Sequence, residues 1–135
     1  MISNKYKCIF VHIPKTGGSS VMEVLWPNTR TAKELYGFPN KYQTGGLQHL
    51  MAKHIKVEVS PEIFNSYFKF TIVRNPWDKA VSQFCYTKSK RPDLLKLLNL
   101  SDKSSFKEYL CSIAEKNHVQ WEEQYKFIIE GGVEY

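Results

Sequence analysis

Phe10-Val11-His12-Ile13-Pro14-Lys15-Thr16-Gly17-Gly18-Ser19-Ser20 is the stretch on which the fold turns. Its first part closes a nearly continuous apolar run over residues 7–13, rich in β-branched side chains and ended by a proline. That pattern is a strand buried on both faces, as in a parallel sheet. A glycine turn follows, and Val21, Val24 and Leu25 then recur at helical spacing. Strand, glycine turn and helix make the first half of a βαβ unit. Gly17 and Gly18 let the main chain pass close to a ligand in conformations closed to other residues. The amides from about Thr16 to Ser20 would face the concavity at the helix start, where the dipole favours an anion. Ser19 and Ser20 add hydroxyls and Lys15 adds a mobile positive charge. Taken alone, the segment reads equally as an anion cradle or a plain surface turn.

Further along, Phe68-Lys69-Phe70-Thr71-Ile72-Val73 is a second strand that stops at Arg74-Asn75-Pro76. Asn75 suits the N-cap of the next helix and Pro76 its first position. Trp77, Val81 and Phe84 then mark an apolar face at i, i+4 and i+7. Arg74 can grip a phosphate with two parallel hydrogen bonds. Ser82 falls roughly 9 Å up the helix axis, at 1.5 Å per residue, so it shares that phosphate only if the helix start leans over the site. Ser60-Pro61-Glu62 opens a short helix reaching about Tyr67. Ser105-x-x-Glu108 has the form of a capping box, followed by a stripe of Phe106, Leu110, Ile113 and Ala114. Residues 121–129 read as helical, and Gly131-Gly132 turns into Val133-Glu134-Tyr135, the opening of another strand. Strands alternating with helices argue for an α/β layer fold with a parallel sheet. The long irregular stretch over residues 26–48 reads as a loop that is functional or partly mobile.

The chain has 135 residues, 42% hydrophobic and 24% charged, which fits one globular domain. No apolar run approaches the ~20 residues that span a bilayer. The amino-terminal residues lead straight into a strand and leave no room for a signal peptide, so a cytoplasmic address is expected. Cys8, Cys85 and Cys111 lack metal-ligand spacing and read as three buried free thiols. A net charge of +6 favours anionic partners. No run of five basic residues marks a nucleic-acid surface, and no nucleic-acid partner is expected.

The glycine segment departs from the Walker pattern, in which a lysine directly follows the last glycine. Here Lys15 precedes the glycines and Ser19 stands in the other place, which argues against magnesium-dependent triphosphate chemistry. Two strand-to-helix anion sites instead match a ligand with phosphates at both ends of a ribose.

At this point a resemblance becomes specific. Residues 10–20 resemble the 5′-phosphosulfate loop of sulfotransferases, and residues 70–82 resemble their 3′-phosphate motif. The wording is most similar to the carbohydrate-modifying branch, and the similarity runs from about residue 8 to the end. It implies a P-loop-like three-layer fold, with a central parallel sheet flanked by helices. It also implies transfer of a sulfuryl group from 3′-phosphoadenosine 5′-phosphosulfate to a hydroxyl acceptor, a sugar by the branch, through in-line displacement and without a metal. By position, Lys15, the loop amides of Gly17 and Gly18, and the hydroxyls of Thr16, Ser19 and Ser20 would hold the 5′-phosphate. Arg74 and Ser82 would hold the 3′-phosphate. Lys15 would also serve the oxygen between phosphorus and sulfur.

The acceptor must lose a proton, and histidine suits that task. His12 lies in the first strand and reads as packing or orienting, and His118 reads as surface. His49 falls in the region where related carbohydrate sulfotransferases place their base, and it is preferred over His54. Those two are five residues apart, off the spacing that puts two ligands on one helix face.

Small-molecule sulfotransferases carry an aromatic where Ser20 stands, so adenine packing must come from elsewhere. Tyr36, Phe38 and Tyr42 are candidates to line the acceptor site. The expectation is a single sulfotransferase domain over residues 1–135, cut short at its carboxyl end. Two other readings stay open: an inactive nucleotide-binding module of the same fold, and a magnesium-dependent phosphotransferase.

Overall fold

The computed structural model describes residues 1–26, 48–130 and 133–134. The expected acceptor loop, with Tyr36, Phe38 and Tyr42, lies outside the described residues. The chain divides into two compact units, one made of Met1–Val73 with Glu123–Tyr135 and the other of Arg74–Glu122.

The first unit is built on a three-stranded sheet in the order β1-β2-β3. β2 (Cys8–Val11) is central and buried along its whole length. It pairs in parallel with β3 (Phe68–Thr71), in the register Cys8 with Phe68 through Val11 with Thr71. The expected parallel pair is therefore present, but the sheet is mixed. β1 (Ile2–Ser3) runs antiparallel to β2, and two residues are too few to show a period in sequence.

Side chains alternate across a strand, and Phe10 and His12 share one face of β2 and its extension. Their rings stack at 5.3 Å, and Phe10 stacks at 5.1 Å on Phe70 of the neighbouring strand. The helix α1 (Gly18–Leu25) covers this face, with Met1, Phe10, Met22 and Trp26 as its buried core and Val21, Leu25 and Phe70 packed around it. Of the residues that suggested this helix, Val24 turns out 71% exposed, and Met22 is the side chain it buries. Two shorter helices follow, α2 (Ala52–Glu58) and α3 (Pro61–Ser66). Ser60 caps α3 by accepting from the Ile63 amide at 3.3 Å. Lys69, on the opposite face of β3 from Phe70, donates to the Phe64 carbonyl of α3 at 2.6 Å.

Near the end of this unit the structure corrects an expectation. Residues 121–129 are not a helix. A single 3-10 turn spans Gln124–Phe127, and β4 (Ile129–Glu130) then pairs antiparallel with β5 (Val133–Glu134). Glu123 supplies no side-chain cap, and Ile128 and Ile129 favour extended backbone.

The second unit begins with α4 (Pro76–Lys90), capped by the Asn75 side chain, which accepts from the Trp77 amide at 3.0 Å. α5 (Pro92–Leu97) follows and ends with Asn99 left-handed. There the Leu100 amide donates to the Leu95 carbonyl and the Asn99 amide to that of Lys96, which satisfies the final carbonyls. α6 (Phe106–Ala114) starts with the anticipated capping box, Ser105 and Glu108 each bonding the other's backbone. Its fully buried side chain is Tyr109, whereas Ala114 is exposed.

The face of α4 also differs from expectation. Trp77 is 75% exposed and Val81 48%, while Lys79, Gln83 and Thr87 are buried. The helix is anchored by Phe84, whose ring meets Phe106 at 5.4 Å and Tyr109 at 5.3 Å. This docking turns the flanking polar residues inward, and two of them find partners. Gln83 donates to the Gln120 side chain at 3.1 Å and Lys79 to the Glu122 carbonyl at 3.4 Å. Burial pushes the Lys79 ammonium pKa down, opposed by the Glu122 charge. The cysteine expectation is corrected likewise: all three thiols are free, but only Cys8 is buried, and Cys85 and Cys111 are exposed. Among the described residues no helix is long and apolar enough to cross a membrane.

Candidate functional site

The turn after β2 runs from Pro14 into α1 at the carboxyl edge of two parallel strands, where open α/β sheets bind ligands. Thr71 secures that edge by donating its hydroxyl to the Val11 carbonyl at 2.7 Å. Lys15 is half-buried and left-handed, with φ 64°. For a non-glycine residue that conformation costs about 1–2 kcal/mol, a strain that tends to collect at functional sites. Thr16 is buried and donates its hydroxyl to the Ile13 carbonyl at 2.9 Å, so that proton is already committed within the turn. Ser19 and Ser20 are exposed on the first turn of α1. The Ser20 amide already bonds the Gly17 carbonyl at 3.1 Å.

The two glycines answer to different constraints. Gly17 is the N-cap of α1 with φ 92°, and a Cβ placed on it meets nothing within 4 Å. It is needed for its backbone conformation and leaves open space above the helix start. Gly18 is needed for room. A Cβ there would lie 1.8 Å from Nε2 of His12 and within 2.4 Å of two of its ring carbons. The His12 imidazole is thus packed directly against the loop.

His49 comes to the same place. Its ring lies 4.3 Å from that of His12, and its Nδ1 is 3.0 Å from the His12 carbonyl oxygen. A carbonyl only accepts, so Nδ1 carries the proton and Nε2 is the basic nitrogen of the neutral ring. His49 is also left-handed, with φ 61°. Lys15 and His49 are therefore two of the four non-glycine residues with positive φ among the described residues. The other two, Lys7 and Asn99, sit in a turn and at the end of α5.

Of the residues singled out in sequence, Lys15, Thr16, Gly17, Gly18, Ser19, Ser20 and His49 belong to the first unit, and the histidine adjoins the loop through His12. Arg74 and Ser82 belong to the second unit. Arg74 is exposed ahead of the cap of α4, and Ser82 is half-buried on that helix. His54 lies on α2, and His118 is half-buried beside Trp121. Among the described residues no three His, Cys, Asp or Glu side chains gather where they could hold a metal ion.

His12 is the residue whose place in the site sequence reasoning understated. The residue is 5% exposed, and its Nδ1 has no hydrogen-bond partner among the described residues. Burial first, then the neighbouring His49 and amino-terminal charges, lower its pKa to about 3. The unfolded chain takes up a proton here near pH 6.5, and the folded chain refuses it until about pH 3. Stability should therefore fall as the pH drops through that window, by up to about 2–3 kcal/mol at pH 4.5. Denaturant titrations at pH 7 and 4.5 check this, and His12→Phe should flatten the difference.

The sulfotransferase family model matches residues 1–128, nearly the whole chain. The chain belongs to the sulfotransferase family. This is the carbohydrate sulfotransferase family that the two motifs resembled. A search of curated proteins and one of solved structures each gave no match. Membership brings with it transfer chemistry and an acceptor substrate.

Proposed function

We propose that this sulfotransferase moves a sulfuryl group from 3′-phosphoadenosine 5′-phosphosulfate to a hydroxyl of a carbohydrate acceptor. The observation that carries the reading is His49 packed on His12, whose ring lies against Gly18 of the glycine loop, with the His49 Nδ1 tied to the His12 carbonyl. In this reading the amides of Thr16, Gly17, Gly18 and Ser19 and the hydroxyls of Ser19 and Ser20 receive the 5′-phosphate at the start of α1. Arg74 and Ser82 receive the 3′-phosphate. The mixed sheet, with α1 on one face and α3 on the other, is read as part of a P-loop-like three-layer fold, and residues 1–135 as one sulfotransferase domain.

The reaction is an in-line displacement at sulfur. The acceptor oxygen forms the new S–O bond as the bond from sulfur to the 5′-phosphate oxygen breaks. His49 Nε2 takes the acceptor proton. Lys15 faces the charge that grows on the leaving oxygen, which is where a fixed cation lowers the barrier.

A turnover assay with labelled donor and a panel of oligosaccharides tests this, run beside binding of adenosine 3′,5′-bisphosphate. Label transferred to a sugar hydroxyl supports the reading, whereas binding without transfer to any acceptor identifies an inactive nucleotide-binding module. Arg74→Ala should weaken bisphosphate binding by about 10- to 100-fold, the loss of a charged hydrogen-bonded pair. The loss should show as a smaller thermal shift at equal ligand. An unchanged shift would remove Arg74 from the 3′-phosphate site.

A further inference from the structure

His12 touches both halves of the proposed site. The Nε2 edge of its ring lies under Gly18 at the start of α1, so tightly that one added methyl would fall 1.8 Å from the nitrogen. Its ring also lies 4.3 Å from that of His49, and its carbonyl oxygen is 3.0 Å from His49 Nδ1. A side chain serving only as filler at such a position is best apolar, because an unpartnered buried polar atom is destabilising. Here the chain keeps an imidazole whose Nδ1 is buried and has no partner among the described residues. In-line transfer needs the loop that holds the donor and the base that holds the acceptor in fixed register. A rigid ring wedged between them is a means of setting it.

We propose that His12 is a positioning residue, a rigid spacer that sets the glycine loop and His49 in register for sulfuryl transfer. This rests on the sulfotransfer reading above. Its effect runs through His49. The ring holds the base at a set distance from Gly18, and the His12 carbonyl keeps the proton on His49 Nδ1 and the lone pair on Nε2.

The test combines nitrogen-15 imidazole spectra of the full chain with kinetics of His12→Ala, His12→Gln, His49→Ala and the double variant His12→Ala/His49→Ala. The wild type should show His49 as the Nδ1–H tautomer. His12→Ala keeps the carbonyl but removes the ring that holds His49 against it, so His49 should sample both tautomers and kcat should fall by up to about 10²-fold, the scale of a 1 Å misplacement, with donor KM changed much less. His12→Gln should give the same result in weaker form, and it serves if the alanine variant does not fold. The double variant should be no slower than His49→Ala alone, because the two losses share one cause.

An Nε2–H tautomer of His49 in the wild type would overturn the proposal without recourse to any variant. Losses that add in the double variant, or a His49 spectrum unmoved by substitution at His12, would overturn it as well. Failure of the wild type to bind adenosine 3′,5′-bisphosphate would instead sink the sulfotransfer reading. Binding with additive losses would sink only the positioning role.

Discussion

His49→Ala is expected to lower kcat by about 10²–10⁴-fold, the usual contribution of a positioned acid or base. Donor affinity should change little, since His49 is assigned to the acceptor proton and the loop amides to the phosphate. The geometry gives the prediction a directional part. Because Nδ1 is fixed on the His12 carbonyl, Nε2 is the nitrogen that accepts the proton. Only the neutral ring has that lone pair, so wild-type kcat should rise with pH to a plateau. The alanine variant should lose this rise. Steady-state rates between pH 5 and 9 with a saturating donor check both parts. A His49→Ala enzyme with the wild-type pH profile would remove the histidine from the base role.

The second large effect belongs to Lys15. Lys15→Ala should lower kcat by about 10²–10³-fold, the scale for removing one fixed donor at a developing oxyanion. Its backbone permits a sharper comparison. At φ 64° the lysine occupies a conformation that suits glycine, so Lys15→Gly removes the same charge while relieving strain. The glycine variant should be as slow as the alanine variant yet more stable than it, by about 1 kcal/mol. Rates with thermal melts of both variants test this. A fast Lys15→Gly enzyme would show that the loop needs the backbone shape rather than the charge.

Much of this was legible in the sequence, for identifiable reasons. β2, β3 and the glycine turn between β2 and α1 announce themselves through a run of β-branched residues and paired glycines. The caps Ser60, Asn75 and Ser105 are local chemistry and stand as read. What sequence could not supply is the third dimension. The spacing of Trp77, Val81 and Phe84 suggests one buried face, but among the described residues only Phe84 finds aromatic neighbours, and Gln83 and Thr87 go inward with it. Gly17 and Gly18 look equivalent on paper. One is in fact chosen for its left-handed backbone and the other for the imidazole against it. His49 stands out through family resemblance, and its tautomer is unreadable from sequence because the acceptor is a main-chain oxygen 37 residues away. Residues 121–129 misled because their composition is neutral between helix and extended chain, and no capping side chain is present to decide it.

The central claim is that the glycine loop and Arg74 serve a ligand with phosphates at the 5′ and 3′ positions of one ribose. A calorimetric titration of the wild-type chain with adenosine 3′,5′-bisphosphate, without magnesium, tests it most directly. ADP and magnesium-ATP run in parallel. The account predicts saturable binding of the bisphosphate and much weaker binding of ADP, which lacks the 3′-phosphate. No heat with the bisphosphate, or binding of magnesium-ATP alone, would contradict it.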